Sequence, residues 1–124
     1  MEIHESAEDY LEQILILHHK HGEVRSIDIV NALGYSKPSI SIAMKRLREN
    51  GYVVMDEDNY ISLTDAGREI AERIYRRHQI LTKFLVDLGV SQEVAEKDAC
   101  KIEHDISDES FGKIEESVDL MEGI

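Results

Sequence analysis

Apolar residues recur along the first fifty positions at spacings of three and four, the period of helices that rest on a core. Tyr10, Leu11, Ile14, Leu15 and Leu17, with His18 beside them, predict a first helix over 6–21, opened by Ser6 and ended by Gly22. Ser26 is placed to cap a short second helix carrying Ile29, Ala32 and Leu33, stopped by Gly34. Ser36 is placed to cap a third, with Pro38 in its first turn where a missing N–H costs nothing. Ile40, Ala43, Met44 and Leu47 form the inward stripe of that helix, and Gly51 is expected as its C-terminal cap. The period then changes. Residues 52–55 and 60–63 are strand formers flanking Asp56-Glu57-Asp58-Asn59, which reads as a hairpin turn. Thr64 then caps a long helix through Ile70, Ile74, Leu81, Leu85 and Leu88 to Gly89. Ser91 opens a helix striped by Ala95, Ala99, Ile102 and Ile106, and Ser107 one striped by Phe111, Ile114, Val118 and Met121. The expected fold is mainly α: three helices, a β-hairpin, three more helices.

Composition narrows the class. A chain of 124 residues, 42% hydrophobic and 32% charged, is globular and about one domain in size, or two small subdomains sharing a helix. At this size a partner subunit helps to bury apolar stripes, so a homodimer through residues 94–121 is expected. The uncharged run from Gln13 to His19 is far too short for a bilayer, so no membrane role is expected. One cysteine, Cys100, excludes an internal disulfide and suits a reducing cytoplasm.

The net charge of −12 argues against nucleic acid until its distribution is considered. Residues 36–50 hold four basic residues and one acid, a local net of +3, while residues 84–124 hold three basic residues and twelve acids. The basic island lies on the third helix. Two short helices, a tight glycine-containing turn and a trailing hairpin are the ordered parts of a winged helix-turn-helix. Its recognition helix would offer Ser36, Lys37, Pro38, Ser39 and Ser41 near base edges and Lys45 and Arg46 to phosphates. Pro38 supplies an apolar edge suited to a thymine methyl. A solvated basic face is the plainer account of Lys45, Arg46 and Arg48, but it explains neither the turn spacing nor the hairpin. The acidic tip of the wing is a poor surface for phosphate.

The acidic third carries a second pattern. Cys100, Glu103 and His104 stand at i, i+3 and i+4, which puts a thiol, a carboxylate and an imidazole on one side of a helix, within reach of one ion. Asp9 and Glu12 share a face of the first helix, and His78 follows Arg76-Arg77 on the fourth. Singly, each is ordinary: Asp9 fits a capping box begun by Ser6, Cys100 a small buried hydrophobe, His78 a core or surface histidine. Together they point to a metal.

At these residues the chain resembles the diphtheria toxin repressor family of metal-dependent bacterial repressors, most of all its short manganese-transport-regulator branch. The likeness covers residues 6–107 and rests on Glu8-Asp9-Tyr10-Leu11-Glu12-Gln13-Ile14, Ser36-Lys37-Pro38-Ser39-Ile40-Ser41, Leu63-Thr64-Asp65-Ala66-Gly67, Arg77-His78 and Cys100-Lys101-Ile102-Glu103-His104. It implies a winged helix DNA-binding domain over 1–65 and a helical metal-binding and dimerisation domain over 66–124. It also implies a homodimer on a palindromic double-stranded operator, with a divalent metal as corepressor. By position, Asp9, Cys100, Glu103 and His104 resemble one metal site, and Glu12 and His78, bridged by Glu103, a second. The set is a hybrid. Short manganese regulators carry glutamate where Cys100 stands, and iron regulators carry cysteine there but methionine in place of Asp9. Thr82 stands where an acid is often found one turn after the histidine. Mn²⁺ or Fe²⁺ is expected, with three carboxylates against one sulfur leaning the choice toward Mn²⁺.

Two other readings fit part of the pattern. His104-Asp105 also occurs in metallophosphohydrolases, but those enzymes need further histidines and a distant aspartate, and only His78 is available. A winged-helix regulator answering to an organic ligand or a protein would keep the basic helix yet have no use for Asp9, Glu12, His78 and Cys100 together.

Overall fold

The computed structural model describes residues 5–122, and the Met121 side chain lies outside what it describes. The helices are α1 (Glu5–His21), α2 (Ser26–Leu33), α3 (Lys37–Glu49), α4 (Asp65–Asp87), α5 (Gln92–Ile102) and α6 (Asp108–Glu122), with strands β1 (Val53–Met55) and β2 (Ile61–Leu63) between α3 and α4. The order is the one the periodicity predicts. The chain divides into two compact units, Met1–Glu72 and Arg73–Ile124, with the division inside α4.

In the first unit the apolar stripes meet. Leu11, Ile14, Ile29, Ile40, Met44 and Leu47 are all but fully buried. Each such side chain contributes about 1.5–3 kcal/mol of burial free energy. The wing is an antiparallel pair in the register Val53↔Leu63, Val54↔Ser62, Met55↔Ile61. Ile61 N–H also donates to the Val24 carbonyl at 2.6 Å, which ties the wing to the segment after α1. Gly67 sits in the first turn of α4 because a Cβ there would stand 2.0 Å from the Tyr52 carbonyl oxygen.

Several local expectations need correction. Helix α1 begins at Glu5, so Ser6 lies inside it and cannot open a capping box with Asp9. Arg25, not Ser26, caps α2, and its N–H donates to Asp28 Oδ2 at 2.9 Å. Asn50 caps α3, with Gly51 following at φ 80°, and its side-chain amide donates to the Arg46 carbonyl. Helix α4 stops at Asp87, one residue before Leu88. Helix α5 stops at Ile102, so the stripe that continues to Ile106 leaves the helix after Ile102.

In the second unit Leu81, Ala99 and Phe111 form the buried centre, with Ile80, Ile102, Ile106 and Ile114 packed against it. Ser91 and Ser107 do cap: Val94 N–H donates to Ser91 Oγ at 3.4 Å and Ser110 N–H to Ser107 Oγ at 3.1 Å.

Candidate metal centre and nucleic-acid interface

Helix α4 brings His78 to the second unit's donor cluster, and the last turn of α5 brings Cys100. Glu103 and His104 were expected on the same helix as Cys100, and the helix ends just before them. Glu103 nevertheless keeps right-handed helical angles, and its N–H donates to the Ala99 carbonyl. The i, i+3 relation of Cys100 to Glu103 therefore survives the end of the helix. The ligating atoms of His78, Cys100 and Glu103 all lie within 4.8 Å of one another. His78 Nδ1 stands 2.9 Å from Glu103 Oε2 and 3.7 Å from Cys100 Sγ. His104 Nε2 lies 3.4 Å from Glu103 Oε1.

Burial sharpens the electrostatics. Glu103 is fully buried although it carries a carboxylate, while Cys100 is exposed. The Cys100 sulfur and the Glu103 carboxylate raise the His78 pKa to about 10, against the opposing effect of burial. The Glu103 hydrogen bond is the stronger of the two, being short at 2.9 Å, whereas the sulfur contact at 3.7 Å is near the limit of such bonds.

The donor set suits a divalent transition metal. Imidazole nitrogen, thiolate sulfur and carboxylate oxygen bind such ions at about 2.0–2.3 Å, so donors around one centre span up to about 4.5 Å. The separations of His78 Nδ1 from Glu103 Oε2 and from Cys100 Sγ, 2.9 and 3.7 Å, fall inside that span. Among the described residues, Glu103 Oε1 accepts no hydrogen bond. A buried carboxylate oxygen so placed costs free energy until a cation or a donor meets it.

Asp9 and Glu12 belong to the first unit, on α1, where Glu12 is buried and Asp9 half-buried. Thr82, at the position where the resemblance often has an acid, is buried on α4.

On α3 the inward stripe of Ile40, Met44 and Leu47 turns the remaining positions outward. Ser36, Lys37, Pro38, Ser39, Ser41, Lys45 and Arg46 are all exposed. Ser36 caps the helix by accepting from Ser39 N–H at 3.3 Å. The first turn holds no acid, which leaves its positive end open to an anion. Helix α3 also exposes Ile42, which periodicity alone had not singled out.

Arg77 is a buried cation of the second unit, a role that the sequence analysis does not assign to it. The signal was available: Arg77 and His78 occupy the inward positions between Ile74 and Leu81, where a core helix otherwise carries apolar side chains.

Comparison with known proteins matches both halves. Residues 2–60 fit the family model for the N-terminal DNA binding domain of iron dependent repressors. Residues 64–122 fit that for the metal binding and dimerisation domain of iron dependent repressors. The transcriptional regulator MntR of Escherichia coli O6:H1 is 39% identical over 107 residues, covering 86% of this chain and 69% of that protein. The HTH-type transcriptional regulator MntR of Lysinibacillus sphaericus is 34% identical over 117 residues, covering 94% and 84%. A solved structure of a manganese-dependent transcriptional repressor in complex with manganese superposes with a TM-score of 0.82 at 30% identity, covering 91% of this chain. The chain spans about half the length of that structure, 52%.

Proposed function

The chain belongs to the iron-dependent repressor family, and from that membership we propose that it is a metal-dependent DNA-binding transcriptional repressor of manganese or iron homeostasis genes, with a divalent metal as corepressor. The observation that carries the reading is the meeting of His78, Cys100 and Glu103 inside the segment matched to a metal-binding domain. The likeness to MntR proteins and to a manganese-loaded repressor favours Mn²⁺, with Fe²⁺ the alternative that Cys100 admits. The relatives are named as regulators rather than enzymes, and a regulator answering to an organic ligand draws no support from them.

Residues 66–124 form the metal-binding and dimerising half in this reading, and residues 1–65 the half that reads DNA. His78 offers a ring nitrogen once its proton has left, Cys100 a thiolate, and Glu103 two oxygens able to serve two ions. His104 adds a second imidazole, and the resemblance assigns Asp9 and Glu12 to the same donor set. A bound ion supplies the positive charge that lets these groups stay ionised together. Ser36, Lys37, Pro38, Ser39 and Ser41 face base edges, and Lys45 and Arg46 hold phosphates. In a homodimer the two α3 helices read half-sites about 34 Å apart, which calls for a palindromic operator. Among the described residues no helix is long and apolar enough to cross a membrane. The single thiol at the donor cluster suits a reducing cytoplasm, where we place the protein.

The test is binding to duplexes selected from a random-sequence pool, across a panel of divalent ions with a chelator control. Mn²⁺ or Fe²⁺ strengthens binding and the chelator reverses it. Equal binding with chelator and with every ion contradicts the reading.

A further inference from the structure

The donors of the cluster come from two kinds of backbone. His78 and Cys100 stand inside helices, whose hydrogen bonds hold them. Glu103 and His104 stand in the turn between α5 and α6, where Glu103 N–H still donates to the Ala99 carbonyl and Asp105 and Ile106 N–H donate to the Ile102 carbonyl. Those bonds tie the turn to α5 and leave its distance from α4 to side chains.

One side chain is built to set that distance. The Arg77 guanidinium Nη1 donates to the Glu103 carbonyl at 3.2 Å and to the Ile106 carbonyl at 2.8 Å. Its Nη2 pairs with Asp108 in the first turn of α6, and its guanidinium carbon lies 5.1 Å from the centre of the Phe111 ring. Arg77 is the residue before His78, so a single stretch of α4 carries both a donor and the clamp on the turn that carries two more. The clamp also places a cation where α5 ends, the negative end of its dipole. The Asp108 side chain is 92% exposed, so that pair alone holds little, and the two carbonyl bonds on the buried side do the positioning.

We infer that Arg77 is a positioning residue of the metal centre: it sets the Glu103–Ile106 turn against His78 before any ion arrives. The inference rests on the metal-binding reading above. A residue that orients ligands from outside the coordination shell is worth about 10–100-fold in metal affinity when lost. A residue that only holds the fold together would lower melting temperature and leave the affinity of the folded protein alone.

The two roles separate in one comparison. Arg77→Lys keeps the charge and loses the fork that reaches both carbonyls. Val118→Ala opens a small gap beside a fully buried position of α6 without touching the turn. Mn²⁺ affinity is read by calorimetry, and Co²⁺ spectra report the thiolate charge-transfer band in the near ultraviolet. The expected result is a loss of about tenfold or more in Mn²⁺ affinity for Arg77→Lys, with a weakened or shifted Co²⁺ band. Val118→Ala melts lower and binds Mn²⁺ within about twofold of the unmodified chain, and so does Asp108→Asn. If Arg77→Lys does not fold, Arg77→Gln, which keeps one amide donor, carries the same comparison. Arg77 variants that bind Mn²⁺ no worse than Val118→Ala overturn the positioning role and leave the metal reading standing. An unmodified chain that binds no Mn²⁺ overturns both.

Discussion

Raising the pH from about 6.5 to about 8.5 should strengthen Mn²⁺ binding about a hundredfold through His78 alone. Without metal, the Cys100 sulfur and the Glu103 carboxylate stabilise the His78 imidazolium, and its pKa stands near 10, raised to about 10 from an ordinary 6.5. A metal accepts only the neutral ring nitrogen, so binding expels one proton from His78 at any pH below that value. One proton expelled is a factor of about ten in affinity per pH unit, or two decades over two units. Calorimetry in buffers of different ionisation enthalpy counts that proton directly. His78→Gln should release one proton fewer, and its affinity should rise with pH by one power of ten less per unit. The same shift has an opposite consequence in chelator. A raised pKa contributes stability that is fully present below about pH 6.5 and is lost as pH climbs through 10, so the metal-free protein melts lower as the pH rises between those values. The Mn²⁺-loaded protein keeps its stability over the same interval, because each pH unit adds to binding what it takes from the metal-free fold. Equal proton release from the chain and from His78→Gln would refute the reasoning.

Gly67→Ala should destabilise the first unit by about 3 kcal/mol, since the methyl meets a backbone carbonyl that cannot rotate away; a denaturant melt checks it, and an unchanged midpoint would mean that α4 and Tyr52 do not pack so closely. Arg46→Ala should weaken binding to all duplexes alike and lower the salt slope by about one, as a lost phosphate contact does; an unchanged slope would remove Arg46 from the interface. Cys100→Glu should shift the response toward Mn²⁺ by exchanging sulfur for oxygen, and Co²⁺ bound to the unmodified chain should show the thiolate band. A Co²⁺ complex without that band would take Cys100 out of the shell.

The sequence made most of the fold legible because most of its signals are local. Ser36, Thr64, Ser91 and Ser107 are hydroxyls placed before apolar stripes, and each stands at a helix start; Gly67 N–H donates to Thr64 Oγ1 at 3.2 Å. The exposure of Ser36 to Arg46 follows from the same stripe that buries Ile40 and Met44. What stayed hidden depends on residues far apart in the chain. Just past the end of α5 the Glu103 carbonyl accepts from Arg77, twenty-six residues upstream, and no local period contains that bond. The full burial of Glu103 was equally invisible, since carboxylates are almost never fully buried unless paired. Its partner, His78, lies twenty-five residues away. At α2 the contrary happened: Ser26 is a good cap by type, but the Arg25 N–H found the Asp28 carboxylate first.

In a metal-dependent repressor, metal binding and DNA binding are one linked equilibrium, and linkage requires reciprocity. The decisive measurement is the Mn²⁺ affinity of the full chain with and without a saturating duplex chosen from the random-sequence pool. DNA should tighten Mn²⁺ binding by the same factor by which Mn²⁺ tightens DNA binding, about 5–150-fold for couplings of this kind. A Mn²⁺ affinity that is identical with and without DNA would contradict it.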